Sequence, residues 1–165
     1  MFERYSEGAR RAFFLTKNEA AQDKSPYIES EHLLQGVITA DIDRIVSLIS
    51  RASRDNIQEK VLRAKKLNYG GFGFGDFDFP LSNECKRVLA YAAEEADHLH
   101  STSIEIEHLL LGLMREPKSV GGHILNEQGL NLGDLRQKLG GQADLPASEG
   151  FMGKLRKMFG GGGAS

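Results

Sequence analysis

The chain has 165 residues, is 40% hydrophobic and carries a formal net charge of −2 at pH 7. This length suits one domain or two very small halves, and the near-neutral charge argues against a nucleic-acid binder. The single cysteine, Cys85, excludes an internal disulfide framework and a cysteine-rich zinc site. No apolar run approaches the roughly 18 residues that span a bilayer, and the N-terminus lacks a signal-peptide core. We therefore expect a cytoplasmic protein.

The first half of the chain is predicted to contain four helices, because apolar residues recur there at helical spacing. The Ser25-Pro26 pair separates the first two helices, since proline disfavours helix at the preceding residue. The expected helices are 7–23 with Ser6 as N-cap, 30–40 with Ser30 as N-cap, a third opening at Asp41 or Asp43, and 55–66.

A stretch rich in glycine and phenylalanine follows, and it predicts a linker over residues 67–81. Four glycines and four phenylalanines interleave between residues 69 and 80, and so many glycines disfavour a regular strand. The second half then repeats the helical plan. Its expected helices are 82–100 with Ser82 as N-cap, 105–115, one with Pro117 in its first turn that ends near Gly129, and 132–139.

The two halves are copies of each other, related by a constant offset along the chain. The segment 29–36, Glu-Ser-Glu-His-Leu-Leu-Gln-Gly, returns at 105–112 as Glu-Ile-Glu-His-Leu-Leu-Leu-Gly. Agreement runs back without a gap to Ser6 and Ser82, with 12 identical positions of the 32 in residues 6–37. Such an internal duplication predicts an all-α domain, in which two sets of four helices are related by a pseudo-twofold axis and pack as one domain.

The end of the chain, residues 141–165, is predicted to be a flexible tail with a short basic amphipathic segment at 151–159. Its apolar stripe consists of Phe151, Leu155, Met158 and Phe159. Nine residues are too few for a stable isolated helix, so we expect the stripe to fold on a partner surface or an anionic lipid surface. The alternative is that it folds back on its own domain. The tail favours a stand-alone protein over an excised fragment.

No constellation in the sequence points to catalysis, and we predict no catalytic residue, no metal and no cofactor. Neither a phosphate-binding glycine loop nor a His-Glu-x-x-His motif occurs. Cys85 is expected to be a small core residue. Glu94-Glu95 is expected to lie on a solvated helix face, and the duplicated His32 and His108 to serve packing or a structural hydrogen bond.

Four duplicated polar residues suggest a pair of binding sites. Glu31 and Glu107 follow two equivalent helix starts, and Ser6 and Ser82 stand at two others. Helix N-termini attract anions, and a carboxylate beside them can pair with a guanidinium. We therefore predict two equivalent surface pockets, one with Glu31 and Ser6 and one with Glu107 and Ser82. The alternative is that these residues only cap helices.

On these motifs the chain resembles the Clp N-terminal (Clp repeat) domain of the ClpA, ClpB and ClpC ATPases, most closely the ClpC kind. The residues that carry the resemblance are the opening Met-Phe-Glu-Arg-Tyr-Ser-Glu and the two Glu-His-Leu-Leu-x-Gly boxes. It covers about residues 1–140, and implies repeat one over 1–66 and repeat two over 82–140. Three positions, Glu29, Glu105 and Ile106, depart from the family pattern.

The resemblance implies a non-enzymatic protein-binding module of the Clp protease and chaperone system, an accessory or adaptor that recruits substrates or modulates a Clp ATPase. Implied partners are Clp ATPase or protease subunits, substrate or adaptor proteins, and phosphoarginine on tagged substrates, but not nucleic acid. The implied binding residues are Glu31 and Glu107, Ser6 and Ser82, and an apolar surface at Phe2 and Leu81. The alternative, which we do not favour, is a membrane-surface or scaffold protein anchored by 151–159.

Overall fold

A computed structural model describes residues 2–68, 80–141 and Phe159 of the chain. Within these residues it contains eight α-helices and two isolated β-bridges. The helices are α1 Glu7–Gln22, α2 Ser30–Ala40, α3 Ile42–Ile49, α4 Arg51–Asn68, α5 Asn83–His98, α6 Ile106–Met114, α7 Val120–Glu127 and α8 Leu132–Lys138. The predicted all-α fold of two four-helix repeats is confirmed.

Equivalent helices of the two halves begin where the duplication predicts. The hydroxyl of Ser6 accepts from the backbone N–H of Ala9 at 3.1 Å, and that of Ser82 accepts from Cys85 at 3.2 Å. Each serine therefore caps an orphan amide of a first turn, as predicted. α1 and α5 span equivalent residues, and α2 and α6 also begin at equivalent positions of the two copies.

Some predicted helix starts are displaced. The N-cap of α2 is Glu29 and not Ser30, because the hydroxyl of Ser30 is buried and accepts from the backbone N–H of Gly121 at 2.9 Å. α4 starts directly after Ser50, whose φ of 78° ends α3, and not at Asp55.

Pro117 lies in a turn ahead of α7, outside the helix in which the sequence pattern places it. The helix begins later because Ser119 is its N-cap, accepting from the N–H of Gly122 at 3.0 Å.

The chain segment before the first helix of each half pairs with the other half. Tyr5 forms a parallel bridge with Ile104, and Leu81 forms the equivalent bridge with Ile28. The backbone hydrogen bonds are Ser6 N to Ile104 O (3.1 Å), Ile104 N to Arg4 O (2.8 Å), Ser82 N to Ile28 O (3.0 Å) and Ile28 N to Pro80 O (2.9 Å). The two halves are thus joined by a reciprocal exchange of their lead-in segments.

Within each half, the first two helices touch at a glycine. A Cβ on Gly36 would lie 2.3 Å from Thr16 Oγ1 and 2.4 Å from the carbonyl oxygen of Ala12. A Cβ on Gly112 would lie 2.5 Å from the carbonyl oxygen of Val88. The glycine of each box therefore lets α2 approach α1, and α6 approach α5, more closely than any side chain allows.

Buried ion pairs tie the first helix of each half to its last. Lys65 of α4 pairs with Glu19 of α1. In the second half Arg136 of α8 donates to the carboxylate of Glu95 at 2.6 and 3.0 Å. The expectation that Glu94-Glu95 is a solvated face is wrong, since the two residues are 6% and 0% exposed. Cys85 is buried in the core, as expected.

We predict that Gly36→Ala lowers the free energy of unfolding by about 1–3 kcal/mol, since the added methyl meets backbone that cannot move cheaply. Thermal unfolding followed by circular dichroism measures the loss. The matched control is Gly8→Ala, whose Cβ would come closest to the terminal methyl of Ile106, at 3.2 Å. Equal melting temperatures for the two variants would contradict the close helix packing.

Candidate guanidinium-binding site

The reciprocal bridges place the capping serine of each half beside the box of the other half. The hydroxyl of Ser82 lies beside the carboxylate of Glu29, and that of Ser6 lies beside the carboxylate of Glu105. The predicted pairing of Ser6 with Glu31, and of Ser82 with Glu107, is therefore wrong. We define the first site as Glu29, Glu31, Ser82 and Glu84, and the second site as Ser6, Glu105 and Glu107.

The first site is acidic, and one of its carboxylates is buried. Glu31 is only 3% exposed, which differs from its expected place in a surface pocket. Burial, and then the charges of Glu31 and Glu84, raise the pKa of Glu29. Burial, followed by the charges of Glu116 and Glu31, also raises the pKa of Glu84. These carboxylates repel one another, so the first site favours a cation over an anion.

The second site is more open, and its glutamate already holds a guanidinium. Arg44 of α3 donates from Nη2 to Oε1 of Glu107 at 2.7 Å and from Nε to Oε2 at 3.5 Å. The side chain of Glu107 is 15% exposed and that of Arg44 is 43% exposed. The hydrogen bond to Glu107 raises the pKa of Arg44. The chemistry predicted for Glu107, pairing with a guanidinium, thus takes place within the molecule.

A cleft of about 480 Å³ opens beside this ion pair. It lies between α3, the N-terminus of α6, the C-terminal end of α5 and α8. Its polar lining is Arg44, Ser47, Ser101, Glu105, Glu107, His108 and Lys138. The Nζ of Lys138 donates to the carbonyl oxygens of Ser47 and Leu48 at 2.7 and 3.3 Å. The cleft therefore presents both carboxylates and cations to a ligand.

The duplicated histidines make the structural hydrogen bonds that the sequence suggests. Nδ1 of His32 accepts from the backbone N–H of Glu29 at 3.0 Å, and Nδ1 of His108 accepts from Glu105 at 2.9 Å. Nε2 of His32 lies 3.1 Å from a carboxylate oxygen of Asp23, so the neutral imidazole carries its proton there. Burial lowers the pKa of His32 to about 4 and also lowers the pKa of His108.

The predicted apolar residues at the repeat starts turn toward the core. Phe2 is half-buried and packs against the rings of Tyr5 and Phe13, with centroids 4.9 and 4.6 Å away. Leu81 is also half-buried against the core.

Of the tail residues, Phe159 is half-buried and packs against the core. The other three members of the predicted stripe, Phe151, Leu155 and Met158, lie outside the described residues. A contact with the core is what the fold-back alternative expects for Phe159.

Sequence reasoning missed Arg44 and Lys138, the two cations that line the cleft beside the second site. Arg44 lies 63 residues from Glu107 along the chain. Its counterpart in the second copy, counted from the N-caps of α3 and α7, is Gly122, so the duplication does not mark it. The one local signal is that Arg44 follows the N-cap Asp41 and lies on the polar side of a short amphipathic helix.

In the parts of the chain that the structure describes, no three His, Cys, Asp or Glu side chains are grouped so that they could hold a metal ion. Across the same residues, no helix combines the length and the apolar character that a membrane span requires.

Fold and site together define a duplicated helical module whose distinctive feature is a pair of acidic boxes at helix starts. The chain matches the Clp repeat (R) N-terminal domain over residues 4–128 and again over 80–160, and it belongs to this family. It is thus a Clp-type N-terminal domain, a protein-interaction module of the Clp system.

Similar proteins agree with this assignment. An ATP-dependent Clp protease ATP-binding subunit ClpA homolog of Guillardia theta is 31% identical over 91% of the chain, and the chaperone protein ClpC2 of Arabidopsis thaliana is 30% identical over 84%. The chain spans only 19% and 14% of these two relatives.

Among solved structures, the N-terminal domain of the chaperone ClpD from Arabidopsis thaliana is 26% identical with a TM-score of 0.65, covering 84% of this chain and 94% of that one. The Hsp104 N-terminal domain of Candida albicans has the same fold, with a TM-score of 0.66 at 15% identity, covering 83% of this chain and 89% of that one.

We predict that acidification from pH 6.5 to 4.5 destabilises the fold through His32. Unfolded histidine takes up a proton near pH 6.5, whereas the buried ring resists it down to about pH 4, so the unfolded state gains protons first. Stability is lost across this window, by an amount on the order of 2–3 kcal/mol. Urea unfolding at several pH values measures the slope, which should flatten in His32→Gln.

The control for this pH series is His123→Gln, a histidine whose side chain is 67% exposed. It should keep the wild-type slope. A wild-type slope in His32→Gln would show that other groups cause the loss of stability at acid pH.

Proposed function

We propose that this chain is a non-enzymatic, cytoplasmic binding module that acts as an accessory or adaptor of the Clp system, recruiting substrates or modulating a Clp ATPase. Residues 1–140 form its functional domain, with repeats 1–66 and 82–140; of the linker predicted at 67–81, residues 67 and 68 belong to α4. The proposal is supported by family membership and by relatives that are named as Clp ATP-binding subunits and chaperones.

The observation that carries the proposal is Glu107, which pairs with a guanidinium at the edge of a cleft of about 480 Å³. A partner that presents an arginine side chain has the chemistry to bind there, since a carboxylate and a guanidinium form charge-assisted hydrogen bonds. The second site is therefore the main ligand site in our proposal. Glu31 is too buried for this role without a rearrangement.

A phosphorylated guanidinium also suits the second site better than the first. Lys138 lines the same cleft as Glu107, so a ligand that carries both charges finds an opposite charge for each. In the first site Glu29, Glu31 and Glu84 would repel a phosphate. We propose that phosphoarginine, if presented on a tagged substrate, binds at Glu107.

We predict that Glu107→Gln weakens binding of a peptide that carries phosphoarginine by about ten- to a hundredfold, because one charge-assisted pair is lost. Fluorescence anisotropy of a labelled peptide gives the affinity. Glu59→Gln is the matched control, since Glu59 also pairs with an arginine, Arg63, but lies on α4. A peptide with neutral citrulline at the same position controls for the charge.

Equal affinity of wild type and Glu107→Gln for the phosphoarginine peptide, or no binding by wild type, would refute the assignment of this site.

The tail stripe Phe151, Leu155, Met158 and Phe159 is proposed as a second docking element. We predict that deletion of 151–165 leaves the melting temperature nearly unchanged but weakens capture of Clp subunits from lysate, because the stripe gains its partner contacts only on binding. A large drop in melting temperature would instead show that the contact of Phe159 with the core is part of the fold, and the docking role would be dropped.

A further inference from the structure

The second site carries an occupant of its own. Resting on the proposed function of that site, we propose that Arg44 is a built-in competitor: its guanidinium fills the place at Glu107 that a partner's arginine takes, so binding requires the side chain of Arg44 to leave. The site is then self-inhibited in the free protein and opens only to a ligand that offers more contacts than Arg44 does.

Arg44 contacts Glu107 in the way that the guanidinium of a bound ligand would. Two nitrogens of the guanidinium face two oxygens of the carboxylate, at 2.7 and 3.5 Å. The pair joins α3 of the first half to the start of α6 in the second, so one side chain from a remote segment enters the site. With both oxygens of Glu107 engaged, a second guanidinium cannot make the same contact at the same time.

The pair is also exposed enough to exchange. Arg44 is 43% exposed and Glu107 is 15% exposed, whereas Arg136 and Glu95, a buried structural pair, are 8% and 0% exposed. Solvent reaches the Arg44 side of the pair, so water can screen the interaction and replace the guanidinium. The contact of Arg44 with Glu107 is thus suited to being broken, and that of Arg136 with Glu95 is not.

Only the side chain has to move for the site to open. The backbone N–H of Arg44 donates to the Asp41 carboxylate at 3.0 Å, and its carbonyl oxygen accepts from the Ser47 hydroxyl at 2.6 Å. α3 therefore stays in place while the long side chain changes rotamer. The adjoining cleft of about 480 Å³ gives an incoming side chain its route to Glu107.

The occupant is not part of the repeat plan that builds the fold. Counted from the N-caps Asp41 and Ser119, the residue of α7 that is equivalent to Arg44 is Gly122, so the second copy of this segment carries no arginine there. Both boxes form the same capped helix start, at α2 and at α6. A role in controlling access accounts for an arginine that the repeat plan does not require.

The test compares the full chain with Arg44→Gln, which keeps much of the side-chain length but removes the positive charge. The probe is arginine amide, which carries an unmodified guanidinium and no phosphate, titrated while backbone amide signals of Ile106 and Glu107 are followed by NMR. We expect Arg44→Gln to bind the probe about tenfold more tightly than wild type, since the internal competitor is lost. The double variant Arg44→Gln/Glu107→Gln should lose this gain.

The matched control is Arg63→Gln, which breaks an exposed ion pair of the same type on α4 and should leave probe affinity unchanged. Thermal unfolding of each variant checks that the fold is intact, and Arg44→Ala provides a second variant if Arg44→Gln is impaired.

Two results would overturn the inference, and they are distinguishable. If wild type and Arg44→Gln bind arginine amide equally, or Arg44→Gln binds it more weakly, while Glu107→Gln still abolishes binding, the site stands but Arg44 does not compete for it. If neither arginine amide nor the phosphoarginine peptide binds to any variant, the proposed ligand site itself fails, and the competitor role fails with it.

Discussion

Four backbone hydrogen bonds that cross between the halves determine how the two repeats meet. They run between Ile104 and the two neighbours of Tyr5, and between Ile28 and the two neighbours of Leu81, and both isoleucines are buried. Buried backbone groups must be paired, so a shift of one lead-in segment would leave donors and acceptors of both strands unsatisfied. The same bonds bring Ser6 beside Glu105 and Ser82 beside Glu29, and each candidate site is therefore composed of both halves.

The helices of the two repeats are tightly packed against one another, whereas the side chains at the rim of the second site are less constrained. Gly36 and Gly112 allow the helices of each half to pack against backbone, which leaves no room for rearrangement. Arg136 and Glu95 fasten α8 to α5 inside the protein. Arg44, by contrast, reaches Glu107 across the exposed rim of a cleft. The change that we propose on binding is thus the movement of a side chain and not of a helix.

The ungapped duplication predicts the fold correctly, because Ser6 and Ser82 cap helices wherever the same local sequence recurs. The same duplication cannot predict the crossed pairing of the sites. Correspondence between copies says which residues are equivalent, but not which half each one contacts. The burial of Glu95 is equally hidden, since it depends on Arg136, which lies 41 residues away and follows no periodicity. Contacts between distant charges are what single-sequence patterns miss.

The two boxes carry the same charged residues, but the helix start that faces each box differs in charge. Glu84 of the first site stands where the second site has Gly8, and this position faces the neighbouring box in both halves, as the proximity of Gly8 to Ile106 and of Glu84 to Glu31 shows. Anions are attracted to the start of a helix by its dipole. At the start of α5 the carboxylate of Glu84 already lies in this position, and it would repel a ligand phosphate. At α1 the acidic residue of the first turn, Glu7, is 94% exposed and paired with Arg11. The positive end of the α1 dipole can therefore still attract an anionic ligand at the second site.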